Sequence, residues 1–238
     1  APELESRRYR ALGAALTTPL LVATAFTITM GIAPLLFLQV LYGPLFYTSS
    51  ILMAWFWLAV IALLMVGYYS YYAYAFRPRW NGLPHLTVLA GALLLAAVGF
   101  LFTNNMTLML HPERWAALYA ASEHGTHLNL ADPTHGPRYL HFVVASFAIT
   151  GLFVAWRGRR AASDEEAFLR RVGARLFTGA THLQLLVGLA FLLALPAPLR
   201  AIFLGGSTLA TLALWGGVAL ALIATVAVRW SVIRFAAY

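Results

Sequence analysis

The chain contains no cysteine and no lysine, and it carries few charges of any kind. Without cysteine it can form no disulfide and no iron–sulfur cluster, and it cannot attach a c-type haem covalently, since that needs Cys-x-x-Cys-His. Only 10% of its 238 residues are charged, whereas 61% are hydrophobic. A composition this apolar excludes a soluble globular protein and indicates a polytopic membrane protein.

Six apolar runs are long enough, or nearly so, to cross a bilayer, whose hydrocarbon core needs about 20 helical residues. They cover residues 16–42, 47–76, 83–111, 139–156, 174–195 and 201–228. The sequence therefore predicts an all-α fold, a polytopic transmembrane bundle of about six helices that forms a single domain over residues 1–238. The lipid bilayer is its first expected partner.

All positive side chains are arginines, and their distribution predicts the topology. The formal charge of +8 would suit nucleic acid, but most of the 16 arginines lie beside the ends of the apolar runs. If the six helices alternate in direction, all arginines except Arg114, Arg138 and Arg200 fall on one side. By the positive-inside rule, both termini are then cytoplasmic, the 111–138 loop lies outside and no nucleic acid is expected as a partner.

The stretch over residues 132–156 is the most informative part of the chain. A polar loop broken by Pro and Gly ends at Arg138-Tyr139-Leu140-His141, and an uncharged apolar run follows to Trp156. Imidazole is a common metal ligand, and histidine near the end of a bilayer helix is how membrane cytochromes hold haem iron. We therefore predict that His141 is an axial ligand of haem b.

His182 is the predicted second ligand. It lies in the middle of the fifth run, where polar groups are costly and usually functional. Counted from a shared inner interface, His141 lies roughly 22 Å up and His182 roughly 15 Å up, a mismatch that helix tilt could absorb. Ala145 and Gly179, each about one turn from a histidine, are small enough to admit a porphyrin. Met106 and Met109 are the rival ligands.

Three other features have both a structural and a functional interpretation. Gln39, near the end of the first run, faces either a cofactor edge or another helix. The tyrosines of residues 68–74 are typical of an interfacial aromatic belt, with a quinone site as the alternative. The histidines and acids of residues 111–136 favour capping, headgroup contact or partner docking, with a Zn or Cu site as the alternative.

The motif around His141 resembles a known junction. In subunit I of cytochrome bd oxidases, Asn-Pro precedes, at the spacing of Asp132-Pro133 here, a basic residue, an aromatic, an aliphatic and the histidine that ligates the low-spin haem b. The chain has Arg138-Tyr139-Leu140-His141 at those positions. Asn104-Asn105-Met106 and residues 145–159 extend the resemblance on both sides. It implies a bd-like bundle in a bacterial cytoplasmic (inner) membrane, with haem b on His141.

Departures from the family pattern predict a lost oxygen site. The family's first helix, which supplies a histidine to the oxygen-site haem, has no counterpart here. The glutamate of its second helix is replaced by Gln39, the acids of its third helix fall on Ser50 and Leu58, and its long quinol loop is reduced to residues 196–200. Oxygen reduction needs an open haem and proton-delivering carboxylates. The resemblance therefore implies a subunit without oxygen-reductase activity of its own.

The resulting expectation is a b-type haem electron-transfer subunit of a larger respiratory or redox complex. It would move electrons between the quinone pool and extracytoplasmic partners such as cytochrome c or iron–sulfur subunits, using His141, His182, Ala145, Gly179, Arg138 and Gln39 around the haem. The alternative is a haem-free, bd-like anchor or assembly subunit. A transporter or metal-handling protein that uses the histidine-rich loop is a third class.

Overall fold

A computed structural model of the chain describes residues 2–76, 84–159 and 163–236. Arg77, Arg79 and Arg160, three of the arginines used for the topology, lie outside these ranges. The α-helices in these ranges are α1 (Pro2–Leu41), α2 (Gly43–Leu52), α3 (Ala54–Phe76), α4 (Pro84–Met109), α5 (Trp115–Ala121), α6 (His135–Arg157), α7 (Asp164–Ala194), α8 (Ala197–Ala201) and α9 (Thr208–Ala236). Every regular element in the described ranges is helical, which confirms the predicted all-α fold.

Six helices in the described ranges are long and apolar enough to span a membrane: α1, α3, α4, α6, α7 and α9. Their number agrees with the six apolar runs, but several boundaries differ. The helix α7 begins at Asp164 rather than near residue 174, and its first turn holds Asp164, Glu165 and Glu166. Acidic side chains stabilise a helix N-terminus through the macrodipole, so the helix extends beyond its apolar part.

The second apolar run is not one helix, because the chain breaks at Met53 between α2 and α3. Two backbone groups freed by the break bond to the segment between α4 and α6: the His127 amide donates to the Leu52 carbonyl at 2.9 Å, and the Trp55 amide donates to the Gly125 carbonyl at 3.2 Å. Gly125 has a φ of +65°, a left-handed conformation that favours glycine. The break is therefore stabilised from a distant part of the sequence.

The described chain groups into two compact units, residues 1–135 and residues 136–238. In the first unit, α3 packs along α4. Its most buried apolar cluster is Met53, Leu101 and Leu108, at the end of α4 that leads into residues 110–134. Deeper in the pair, a Cβ on Gly91 would stand 2.6 Å from the Tyr71 ring, so glycine there leaves the space that the ring occupies beside α4.

In the second unit, α6 and α7 cross with their backbones in contact. A Cβ on Gly151 would lie 2.8 Å from the Gly173 carbonyl oxygen, and a Cβ on Gly173 would lie 2.6 Å from the Gly151 carbonyl oxygen. Small residues allow this approach between membrane helices. The helix α9 packs on α7 and buries Thr225, while its remaining faces expose large apolar side chains such as Leu209, Leu220 and Trp230.

Candidate functional site

His141 lies in the second turn of α6, half-buried against α7. Its Cε1 and Nδ1 atoms stand 3.4 and 3.7 Å from the point where Gly188 would carry a Cβ. The Nδ1 atom is enclosed and has no hydrogen-bond partner among the described residues. The Nε2 atom is not enclosed by the surrounding side chains, so this nitrogen is accessible to a ligand.

The register of α6 and α7 explains why Gly188 is the neighbour. The helices are antiparallel: Gly158 lies against Arg170, and Gly151 lies against Phe177. Continuing along both helices brings His141 to the level of Gly188. Sequence reasoning missed this glycine because it does not follow from the composition of α7. The signal was available in the close-packing glycine pair, which sets the register once the two helices are known to touch.

Arg138 lies one turn before His141 and on the same face of α6. Its Cζ atom stands 4.9 Å from the centre of the Phe191 ring, and Phe191 follows Gly188 by three residues on α7. A guanidinium and an imidazole therefore face the same side of α7 near the N-terminal end of α6. Guanidinium groups bind carboxylates in a bidentate fashion, so Arg138 suits the propionate of a cofactor ligated at His141.

The structure does not bring His182 and His141 together. His182 and the neighbouring Gly179 are exposed, and a Cβ on Gly179 would have nothing within 4 Å. His182 lies six residues before Gly188, which is about 9 Å along the α7 axis and about 120° around it. That one iron is bound by both histidines stays a prediction, with no contact between them to support it. Ala145 lies half-buried on α6, one turn after His141.

The remaining predicted ligand and cofactor residues lie in the first unit. The Gln39 side chain accepts a long hydrogen bond of 3.5 Å from the Tyr47 hydroxyl, so it contacts the neighbouring helix α2, one of its two predicted interpretations. Met109 is buried at the end of α4, and Met106 is 43% exposed.

Residues 110–134 form an ordered polar cap over the end of α4. Asp132, which is 4% exposed, accepts hydrogen bonds from the Thr134 amide at 2.7 Å and from the Thr134 hydroxyl at 2.6 Å. Its second carboxylate oxygen lies 2.8 Å from Nε2 of His111, whose Nδ1 lies 2.8 Å from Glu113. Burial opposes ionisation of Asp132, but the bonds from Thr134 and His111 outweigh it and lower the pKa of this carboxyl.

Asparagines join this cap to α4. The Asn129 amide donates to Oδ1 of Asn104 at 3.2 Å, and Arg114 donates to Oδ1 of Asn129 at 3.1 Å. Asn104 is fully buried, and its Nδ2 atom has no hydrogen-bond partner among the described residues. These bonds fasten the loop to α4, while headgroup contact and partner docking stay predictions. Within the described ranges, no three His, Asp or Glu side chains are arranged to hold a metal ion.

Two apolar grooves lie between α1 and α3, with volumes of about 430 and 440 Å³. Both are lined by Tyr68 and Tyr72, whose hydroxyl oxygens lie 3.2 Å apart. The Tyr68 hydroxyl also lies 3.5 Å from the Leu21 carbonyl. The tyrosine run therefore borders cavities as well as forming an aromatic band, and the size of each groove suits a small ring with an apolar tail.

The side chains around His141 fit a noncovalent haem. The donor is an imidazole with an accessible Nε2, the opposite helix carries glycine, and a guanidinium lies one turn away for a propionate. No protein-family model matches the chain, and neither a curated protein nor a solved structure is significantly similar to it. The likeness to subunit I of cytochrome bd oxidases therefore rests on the sequence motifs named above.

Proposed function

We propose that the chain is a membrane-embedded electron-transfer subunit that binds haem b through His141. The observation that carries this proposal is the state of the His141 ring. It is half-buried in a membrane-spanning helix, it makes no hydrogen bond to a described residue, and its Nε2 is not enclosed. A polar group left unpaired in an apolar span is costly, and ligation of iron would use its free nitrogen.

The residues around His141 have distinct roles in this proposal. Gly188 leaves room beside the ring, because a Cβ there would already be in van der Waals contact with Cε1 and Nδ1, and a side chain longer than alanine would press on them. Arg138 neutralises a propionate and stays near the helix end, where its charge can reach water. A bound haem supplies reversible one-electron chemistry. The protein holds it, orients it and sets its potential through these contacts and through burial.

The proposed partners follow from the topology. With the arginine-rich ends cytoplasmic, His141 and the cap of residues 110–134 lie near the outer face of a bacterial inner membrane. Electrons would pass there to an extracytoplasmic partner such as a cytochrome c or an iron–sulfur subunit of the same complex. We propose the quinone pool as the second electron-transfer partner. The grooves lined by Tyr68 and Tyr72 would bind the quinone ring.

The decisive experiment is a reduced-minus-oxidised absorption spectrum of the purified full chain, in which haem b gives a sharp α band. His141→Ala should remove the band while the protein remains inserted, because the apolar spans are unchanged. His124→Ala is the matched control, since His124 is an exposed histidine of the 110–134 cap. A full α band in His141→Ala would refute the assignment, and no band in the unmutated protein would favour the haem-free anchor.

A further inference from the structure

His111 joins the two ends of the cap over α4. It follows the last turn of α4, and each nitrogen of its ring contacts a different acid. Nδ1 lies 2.8 Å from Oε1 of Glu113, two residues along the chain, and Nε2 lies 2.8 Å from Oδ2 of Asp132, at the far end of the cap. Asp132 lies three residues before His135, where α6 begins. The His111 ring therefore fastens the segment that leads into α6 to the end of α4.

The two contacts indicate the protonation state of the ring. The pKa of the Glu113 carboxyl is lowered by a bond from its own backbone amide and by the His111 contact, and the pKa of Asp132 is lowered as well. Both acids are therefore ionised at neutral pH and act only as acceptors. A neutral imidazole carries one N–H and can donate to one of them, whereas the charged ring donates to both. The geometry therefore fits a charged His111 ring.

No other charged group of the cap pairs with this ring. Among the described residues, the ion-pair partners of His111 are Glu113 and Asp132. The other titratable side chains nearby have partners of their own: Arg114 donates to Asn129, the His127 ring bonds the Ser122 carbonyl, and the His135 ring packs edge-on against Phe100. Gain or loss of a proton between the two acids is therefore a change at the His111 ring.

We propose that His111 is a pH-sensitive latch, which holds both ends of the cap while its ring is charged and releases one end when the ring loses its proton. Loss of the proton removes one of the two donors, so either Glu113 or Asp132 loses its bond. A charged ring held between carboxylates contributes stability that is present while the ring is charged and is lost as the pH rises. Because both acids keep their charge to acidic pH, the latch opens in the alkaline direction.

The position of the latch gives it a consequence for the rest of the chain. The segment that it holds, residues 132–134, continues directly into α6, the helix that carries His141. Alkaline conditions would therefore loosen the attachment of the start of α6 to the end of α4. In the proposed topology the cap lies on the extracytoplasmic face, so the latch responds to the pH outside the cell. The inference does not depend on haem, because its contacts all lie within residues 1–135.

The first test is the midpoint of thermal unfolding of the full chain in detergent, measured at about pH 7 and at about pH 9.5. His111→Gln carries no charge at either pH. It should lower the midpoint by about 3–6 °C at the lower pH, for the loss of one charge-assisted bond, and by clearly less at the higher pH. His124→Gln is the matched control, since His124 is an exposed histidine of the same cap, and its effect should not change with pH.

The second test reads the ring directly by nitrogen NMR of the histidine-labelled, unmutated protein. At about pH 7.5, where an ordinary exposed imidazole is largely neutral, one ring should have both nitrogens protonated. Seven neutral rings at that pH, or an effect of His111→Gln that is equal at both pH values, would overturn the latch. If His111→Gln does not accumulate, the NMR result decides. Neither measurement detects haem, so failure of the latch leaves the His141 assignment standing, and absence of haem leaves the latch standing.

Discussion

Asp132 is the residue whose replacement should most disturb the cap over α4. It is nearly fully buried and accepts two bonds from Thr134 at 2.6 and 2.7 Å and one contact from His111 at 2.8 Å. Asp132→Ala leaves the two Thr134 donors unpaired in a buried site, where each costs about 1–3 kcal/mol without strict additivity, and it removes one partner of the partly exposed His111. We expect a total loss of about 3–5 kcal/mol for a buried, bonded charge whose partners remain.

Asp132→Asn separates the charge of this side chain from its shape. The amide oxygen can still accept both bonds from Thr134, and the amide nitrogen can donate to His111, so we expect a loss of only about 1–2 kcal/mol. In the cytochrome bd junction that this motif resembles, asparagine is also the residue before the proline, at the position of Asp132. Glu123→Ala, which removes an exposed acid from the same loop, is the control and should change stability by no more than about 0.5 kcal/mol.

The pH dependence of these variants follows from the sign of the pKa shift. The pKa of Asp132 is lowered in the folded protein. Its carboxylate therefore contributes stability above the unfolded value of about 3.9, and this contribution is lost as the pH falls through the folded value. The difference between the unmutated protein and Asp132→Asn should be constant at neutral pH and shrink below about pH 4.

The assay for the Asp132 series is thermal unfolding in detergent, combined with limited proteolysis of residues 110–134. Asp132→Ala should lower the midpoint of thermal unfolding and open this segment to protease. The fall in the midpoint should be largest for Asp132→Ala, smaller for Asp132→Asn and smallest for Glu123→Ala. Equal behaviour of Asp132→Ala and Glu123→Ala would refute the view that Asp132 organises the cap.

Three other predictions concern the helices and the chemistry. Gly188→Ala should retain haem, because a Cβ there stands 3.4 Å from His141, whereas Gly188→Leu should displace the ring and lose haem; equal α bands in both would contradict this. Gly151→Leu should destabilise the protein by more than about 3 kcal/mol, since its Cβ alone would lie 2.8 Å from the Gly173 carbonyl, while Gly216→Leu, in open space on α9, should be tolerated. Equal thermal midpoints for these two leucine variants would count against the close α6–α7 contact. The purified chain should not consume oxygen with quinol, and cyanide-sensitive oxygen uptake would show that an oxygen site exists.

Local sequence was sufficient for the helical class and for the number of long apolar helices. Both follow from composition and run length, because a lipid-spanning backbone must satisfy its hydrogen bonds within each segment. The helix α7 needed one addition, the acidic first turn at Asp164–Glu166, which is also a local signal. The break at Met53 was not local, because the carbonyl and amide groups it frees bond to residues 125 and 127. No periodicity within residues 47–76 indicates that pairing.

The candidate site also has one feature that the local sequence indicates and others that depend on the packing of the helices. The sequence by itself made His141 the candidate haem ligand, since a histidine that follows a polar loop and opens an uncharged apolar run is a local pattern. Only the tertiary structure decided what faces it, because the contact of Gly151 with Gly173 sets the register of α6 and α7 and so puts Gly188 opposite the ring. The same register puts His182 on a different face and at a different level. Distances between helices depend on where their backbones touch, and a single chain segment does not contain that information.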